Sequence, residues 1–240
     1  MRTLVTGAKG SLGQLLVPIL SGEVVATDID TLDVTTALRN DFGGYDRIFH
    51  LAGAKHAPVG EDDPGETFRV NVVGTENVLR AAGDAKVVLA STCKAAQPET
   101  VYGASKLIAE RMVLNAGGVV ARFYNVRETQ GNVFRLWEAL PAGTPIPYTD
   151  CWRYFITTNQ ALTLLLACMD LPSGRYTVDP GPPSHMLAEA RWAYPGRKVT
   201  MVPPRRGDRV REPICGNHET LVPVPGQPGI FEIVNRHDVP

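Results

Sequence analysis

Apolar and polar positions along this chain fall into two alternating textures. Short β-branched runs at Thr3 to Thr6, Val24 to Thr27, Arg47 to Leu51, Val87 to Ser91 and Val119 to Phe123 read as strands. Between the third and fourth runs, Phe68, Val72, Thr75, Leu79 and Ala82 recur at spacings of four and three, which predicts one buried face of a helix. Asp63-Pro64 offers that helix a cap and a first turn. Strands that alternate with helices predict an α/β fold with a doubly wound parallel sheet. After Asn125 the pattern loosens, and Pro141, Pro145, Pro147, Pro180, Pro182, Pro183, Pro203 and Pro204 punctuate it. A smaller, loop-rich C-terminal substrate-binding lobe is expected there, interrupted by one sheet-packing helix from about Thr158 to Met169. The expected division is a core of residues 1–125 with 150–170 packed back on it, and a lobe of residues 126–149 and 171–240.

Composition narrows the function classes. The chain has 240 residues and a formal net charge of −1, without a basic run that would track a phosphate backbone or coat a membrane, so nucleic acid and membrane are not expected partners. No apolar stretch is long enough to cross a bilayer and the N-terminus lacks a signal-peptide pattern, from which a cytoplasmic location is expected. Cys93, Cys151, Cys168 and Cys215 lie far apart with no zinc-ligand spacing, so reduced thiols and no metal site are expected.

Two motifs carry chemistry. The first is Thr6-Gly7-Ala8-Lys9-Gly10-Ser11-Leu12-Gly13, placed between the first strand and the first helix. Gly7 suits a tight turn, Gly10 close approach to a pyrophosphate and Gly13 close packing of helix on strand, so the segment reads as a dinucleotide-binding Rossmann loop. Asp28, at the end of the second strand, stands where a carboxylate accepts from ribose hydroxyls and repels a 2′-phosphate, which favours NAD over NADP; a turn-capping aspartate is the plainer reading. Asp33 and Val34 are expected near the adenine. The second motif is Tyr102-Gly103-Ala104-Ser105-Lys106, preceded by Ser91-Thr92 at a strand end. Four residues apart, Tyr102 and Lys106 share a helix face, where an ammonium can lower a phenol's pKa from about 10. Such a phenolate can take a proton from a hydroxyl as hydride leaves. By itself the pair is a common structural feature of helices; together with the glycine loop it points to oxidation of a hydroxyl.

Glycine loop, Ser-Thr strand end and Tyr-x-x-x-Lys together resemble the extended short-chain dehydrogenase/reductases that act on nucleotide sugars. Within them the chain is most similar to the inverting UDP-N-acetylglucosamine 4,6-dehydratases and related polysaccharide-biosynthesis proteins. The similarity rests on Phe49 to Pro58, Asn71 to Thr75, Ser91-Thr92-Cys93-Lys94-Ala95, Arg122 to Val126 and Arg205 to Arg209. It implies Tyr102, Lys106, Thr92, Cys93 and Lys94 as the catalytic set. It places NAD on Gly7, Lys9, Gly10, Ser11, Leu12, Gly13, Asp28, Asp33, Val34, Leu51, Ala52, Gly53, Lys55, Asn71, Tyr102 and Lys106, and the sugar diphosphate, a UDP-sugar by preference, on His56, Asn125, Asn132, Arg153, Arg205 and Asp208. A homodimer through paired helices is part of the same analogy.

Three departures qualify the resemblance. Cys93 stands where the dehydratases carry an aspartic acid next to the motif lysine; Asp28 and Asp30 stand where relatives that take NADP often carry basic residues; and the segment between Asp28 and Arg47 is short while the C-terminal lobe is clipped. The expected reaction begins with oxidation of a sugar 4-hydroxyl. With Cys93 as acid and Lys94 as base it continues as a 4,6-dehydratase-like lyase, the favoured course. Without them hydride returns on the other face, which is 4-epimerisation, and a non-catalytic NAD-binding Rossmann protein is the third alternative. Trp137 and Trp192 are expected in the core or at an interface.

Overall fold

Four of the five β-branched runs become inner strands of a sheet, where residues buried on both faces favour branched side chains over alternation, and Val24 to Thr27 forms its edge. In a computed structural model, described for residues 1–36 and 44–238, β1 (Arg2–Thr6), β2 (Glu23–Thr27), β3 (Arg47–His50), β4 (Lys86–Thr92) and β5 (Val119–Phe123) lie parallel. With β10 (Gly174–Val178), β13 (Glu219–Pro223) and β14 (Ile230–Asn235), the eight-stranded sheet runs β13-β14-β10-β5-β4-β3-β1-β2. The order reverses at β1, with β2 on one side and β3 on the other. That reversal opens a crevice at the carboxyl ends of the strands, where doubly wound sheets bind ligands. The short connection between Asp28 and Arg47 includes residues 37–43, which lie outside the described residues.

Helices cover both faces of the sheet. One face carries α1 (Ser11–Leu16) and α7 (Thr158–Asp170); the other carries α2 (Ala57–Asp62), α3 (Pro64–Phe68), α4 (Gly74–Ala82) and α5 (Val101–Asn115). The Asp63 carboxylate caps α3 by accepting from Glu66 N at 2.9 Å, as Asp63-Pro64 predicts. A π-turn over Arg69–Val73 joins α3 to α4. Its extra residue rotates the buried face by roughly 100°, so Phe68 is left 48% exposed while Thr67, Asn71, Val72, Thr75 and Ala82 are buried. The expected position of Phe68 is thereby corrected. α7 begins on a capping box in which Thr157 and Gln160 satisfy each other's backbone N–H groups.

The lobe is smaller than its sequence texture suggests. β10 (Gly174–Val178) joins the main sheet parallel to β5, and β13 (Glu219–Pro223) and β14 (Ile230–Asn235) extend it as an antiparallel hairpin. Residues 171–240 are therefore not all lobe. Pro180, Pro182, Pro183, Pro203 and Pro204 sit in connecting loops, and the strands around them find an open sheet edge to pair with. What remains separate is α6 (Val133–Glu138), β7 (Ile146–Tyr148), β8 (Trp152–Arg153), β11 (Ser184–His185), α8 (Met186–Ala193) and β12 (Val199–Met201), gathered on Trp137, Ile146, Cys151, Phe155, Met186 and Ala190. β6 (Asn125–Val126) and β9 (Phe155–Ile156) pair to hinge this lobe to the sheet. Trp192 is 76% exposed on α8. Among the described residues no helix is long and apolar enough to cross a membrane.

Candidate active site

A cleft of about 570 Å³ follows the carboxyl edge of the sheet from β2 to β5. At one end stands the glycine loop. Gly7 adopts φ +68°, and a Cβ there would lie 2.6 Å from Ala52 N; a Cβ on Gly13 would lie 2.6 Å from the Ala8 Cα. Side chains at either position would push the loop off the neighbouring backbone. Asp28 lines the same end and accepts from the backbone N–H groups of Lys9 (2.8 Å) and Ile29 (2.9 Å). Asp33, Val34, Leu51, Ala52, Gly53, Ser11 and Leu12 complete the wall. An elongated cleft with backbone exposed at a glycine loop and a carboxylate beyond it fits a dinucleotide. Gln130 bridges the cleft's margin: its N–H donates to Ser11 Oγ at 2.9 Å and its carbonyl accepts from Lys55 Nζ at 3.0 Å.

Two expected cofactor contacts fall elsewhere. The Lys9 ammonium turns outward to pair with Asp30, so only its backbone serves the loop. Asn71 is buried beneath the cleft, where its amide bonds Ala54 N, Ala54 O and Ser105 Oγ, each at 2.9 Å. It ties α5 to the loop after β3, and its hydrogen-bonding capacity is used by the protein itself.

At the other end stands Tyr102. Thr100 caps α5 by accepting from Gly103 N at 3.0 Å, which fixes Tyr102 in the first turn. Gly103 brings the helix down onto the turn after β4, since a Cβ there would sit 2.5 Å from Lys94 O. Tyr102, Lys106, Thr92, Lys94 and Asn125 consequently line one stretch of the cleft. Lys106 Nζ donates to Ala90 O at 2.8 Å, and burial lowers its pKa to about 8. Burial raises the pKa of the Tyr102 phenol, and the Lys94 ammonium and the Thr92 hydroxyl oppose that rise.

Cys93 does not face the cleft. Its side chain is enclosed in the hydrophobic core with Phe123 and Tyr124, 1% exposed, and burial pushes the thiol up to about 12. Cys93–Ala95 form a 3₁₀ turn, in which successive side chains point about 120° apart, so a cleft-facing Lys94 leaves Cys93 directed inward. The substrate-facing thiol expected from the Ser-Thr-Cys-Lys segment is thus corrected. Arg153 is also spent inside the protein: Nη1 donates to Arg209 O at 2.7 Å and Nε lies 3.4 Å from Glu212 Oε1. Arg205 is exposed and pairs with Asp208 at 3.3 Å within a turn, and neither lines the cleft. Asn132 does line it, while capping α6 and donating to Val126 O at 2.7 Å. His56 is exposed at the cleft margin with its ring against Gly131.

One residue at the site goes unmentioned in any motif. Glu212, with a side chain 2% exposed, lies 2.7 Å from Lys94 Nζ and accepts from Asn125 Nδ2 at 2.7 Å. Cys93 Sγ is 3.7 Å away. The pull of Lys94 and Arg153 outweighs burial and holds the carboxyl below its usual range, and Glu212 in turn holds Lys94 above the ordinary lysine range against its own burial. The sequence signal was one of two acids, with Asp208, in the cation-rich run from Arg205 to Glu212, which marks a charged loop but not what the acid would meet.

A doubly wound sheet, a glycine-loop cleft and a Tyr-x-x-x-Lys helix at its far end give the chain the fold and the motifs of the extended short-chain dehydrogenase/reductases that its sequence resembles. The chain belongs to the polysaccharide biosynthesis protein family, whose pattern matches residues 20–224. It is 30% identical over 211 residues, 71% of this chain, to the uncharacterized membrane protein MJ1061 of Methanocaldococcus jannaschii, and 28% identical over 184 residues, 70% of this chain, to an inverting UDP-N-acetylglucosamine 4,6-dehydratase of Campylobacter jejuni. It spans 63% and 55% of the lengths of those two proteins. Among solved structures, UDP-glucose 4-epimerase of Thermus thermophilus in complex with NAD superposes with a TM-score of 0.77 at 24% identity, covering 88% of this chain and 89% of that one. The resemblance drawn from the motifs is borne out at the level of fold and family.

Proposed function

We propose that this chain is an NAD-dependent nucleotide-sugar enzyme whose first step is oxidation of the sugar 4-hydroxyl, with Tyr102 as the base. The observation that carries the reading is the placement of Tyr102, Thr92, Lys94 and Lys106 on the wall of the same cleft that the glycine loop and Asp28 begin. Gly7, Gly10, Ser11, Asp28, Gly53 and Lys106 would hold the dinucleotide, and bound NAD supplies the acceptor for the hydride from C4. Tyr102 takes the hydroxyl proton, Thr92 orients the oxygen, and Asn125 and Asn132 border the space for the sugar.

Two completions follow from that ketone. A dehydratase-like course is supported by Lys94 in the cleft and by the similarity to the Campylobacter enzyme, but its acid would be a group other than the enclosed Cys93 thiol. Epimerisation needs only return of the hydride to the opposite face. A UDP-sugar substrate, a homodimer and a cytoplasmic location belong to the same proposal. Incubation with NAD and a panel of UDP- and dTDP-sugars, with products read by mass, tests it. Loss of water identifies a dehydratase, and unchanged mass with a new isomer an epimerase. Absence of turnover on every sugar would leave a dinucleotide-binding protein.

A further inference from the structure

We propose that residues 129–131 form a strap across the dinucleotide cleft, latched by Ser11 on one wall and Lys55 on the other, which sets how fast the cofactor enters and leaves. The identity of the occupant rests on the functional reading above; the strap rests on the geometry of its anchors.

The two latches come from opposite faces of the sheet. Ser11 opens α1, which covers one face, and Lys55 precedes α2, which covers the other. Gln130 reaches both with its main chain: its N–H donates to Ser11 Oγ at 2.9 Å and its carbonyl accepts from Lys55 Nζ at 3.0 Å. The crossing therefore stands over the carboxyl ends of β1 and β3. In the sheet these two strands lie between β2, which Asp28 follows, and β4, which precedes the helix of Tyr102 and Lys106. A molecule that occupies the cleft from Asp28 to Lys106 has to pass the crossing, and Thr129, Gln130 and Gly131 line the same cleft.

The strap has a fixed root and a lightly held tip. At the root, Arg127 N donates to Ile156 O at 3.0 Å, and Glu128 accepts from Thr158 N at 2.9 Å. Val126 O accepts from Thr129 Oγ1 at 2.9 Å and from Asn132 Nδ2 at 2.7 Å. The tip lacks such support. Gln130 is exposed, and among the described residues its main chain is tied to Ser11 and Lys55 alone. Gly131 adopts φ +77°, and a Cβ there would lie 2.5 Å from His56 Cε1, so a side chain at 131 would lift the tip from the Lys55 side.

Both latching bonds join protein to protein, so the strap closes without help from the dinucleotide. A gate of that kind slows entry and exit alike and leaves affinity nearly unchanged. A side chain that grips the cofactor directly slows exit and tightens binding. That contrast separates a latch from a contact. Elimination and epimerisation both return the hydride within one turnover, and a latched cleft keeps its carrier in place for the return.

The experiment is stopped-flow fluorescence of NADH in sugar-free protein, with association read on mixing and release read on displacement by excess NAD. Ser11→Ala and Gly131→Val should each quicken both association and release by roughly two- to tenfold, the effect of one hydrogen bond, with Kd nearly unchanged. Lys55→Met should quicken release to a similar extent. Gln130→Ala keeps both main-chain groups and should alter neither rate. Release that quickens alone, with affinity lost in proportion, would overturn the proposal by making Ser11 a cofactor contact. Unchanged rates in Gly131→Val would overturn it as well. Should Ser11→Ala fail to fold, Gly131→Val and Lys55→Met, both at exposed positions, carry the comparison. Protein that binds neither NADH nor NAD sinks the cofactor reading and the strap together, whereas NADH that exchanges alike in every variant removes the strap and leaves that reading standing.

Discussion

Two buried ion clusters, built from the same C-terminal segment, meet opposite fates in this molecule. Glu219 reaches under the sheet to Arg122, 2.6 Å from its Nη1, and to Arg175; Arg122 Nη2 also donates to Glu110 at 2.6 Å, and Ser91 Oγ to the same carboxylate at 2.6 Å. Glu212, seven residues earlier, meets Lys94 and Arg153 at the cleft. The closed cluster pairs two cations with two carboxylates; the open one, counting Asp208 beside Arg153 at 3.8 Å and beside Arg205 at 3.3 Å, pairs three cations with two. The difference that decides their fates is one opening. Arg122 and Glu110 are at most 1% exposed, whereas Lys94 is 26% exposed. A closed neutral cluster can only hold elements together, here α5, β5 and the β13–β14 hairpin. The open one presents a charge to whatever enters. Because α5 carries Tyr102 at one end and Glu110 further along, the closed cluster also sets the platform on which the open one acts.

The sharpest way to break this comparison is to remove the centre of the closed cluster. Arg122→Met leaves Glu110 and Glu219 without their main counter-ion and should cost about 3–5 kcal/mol of stability in denaturant unfolding. A loss as large from Lys94→Met, whose side chain reaches water, would erase the distinction. Next in size is Tyr102→Phe, which should lower turnover by about 10²- to 10⁴-fold while leaving dinucleotide affinity, by calorimetry, and unfolding nearly unchanged. Substantial turnover by that variant would remove Tyr102 from the chemistry.

A smaller effect comes from His50, a buried polar group kept neutral between Thr6 Oγ1 (2.8 Å) and Thr75 Oγ1 (3.1 Å), with its pKa lowered by burial from 6.5 to about 3. Between those values the unfolded chain binds a proton that the folded chain refuses, so this contribution is complete above pH 6.5 and is lost as pH falls towards 3. Stability should fall by about 1–2 kcal/mol between pH 6.5 and 5, and His50→Gln should flatten that slope. An unchanged slope would mean that other groups govern the acid limb. The smallest effect belongs to the exposed end of the cleft: Asp28→Ser should narrow the preference for NAD over NADP by roughly tenfold, through loss of like-charge repulsion. Tighter binding of NADP by the unaltered protein would reverse the cofactor assignment.

What the sequence settled by itself is what depends on neighbours along the chain. Strand runs, the glycine loop, the Asp63 cap and the Tyr102-to-Lys106 spacing are local: propensity, turn chemistry and helical periodicity fix them within a few residues. One local prediction slipped at Phe68, because a single π-turn residue shifts the phase without a composition signal. Membership of residues 174–178 and 219–235 in the main sheet was illegible, since an open sheet edge exists only once β5 is in place. The same reason hid the inward turn of Cys93, the outward turn of Lys9 and the work of Arg153, whose partners lie at 208–212. Glu212 is the clearest case. It lies 118 residues from Lys94 in the chain and 2.7 Å from it in the fold. No periodicity links such residues. Their pairing is decided by the path of the chain around the sheet, and a charge is retained in that enclosed space only where a counter-charge arrives with it.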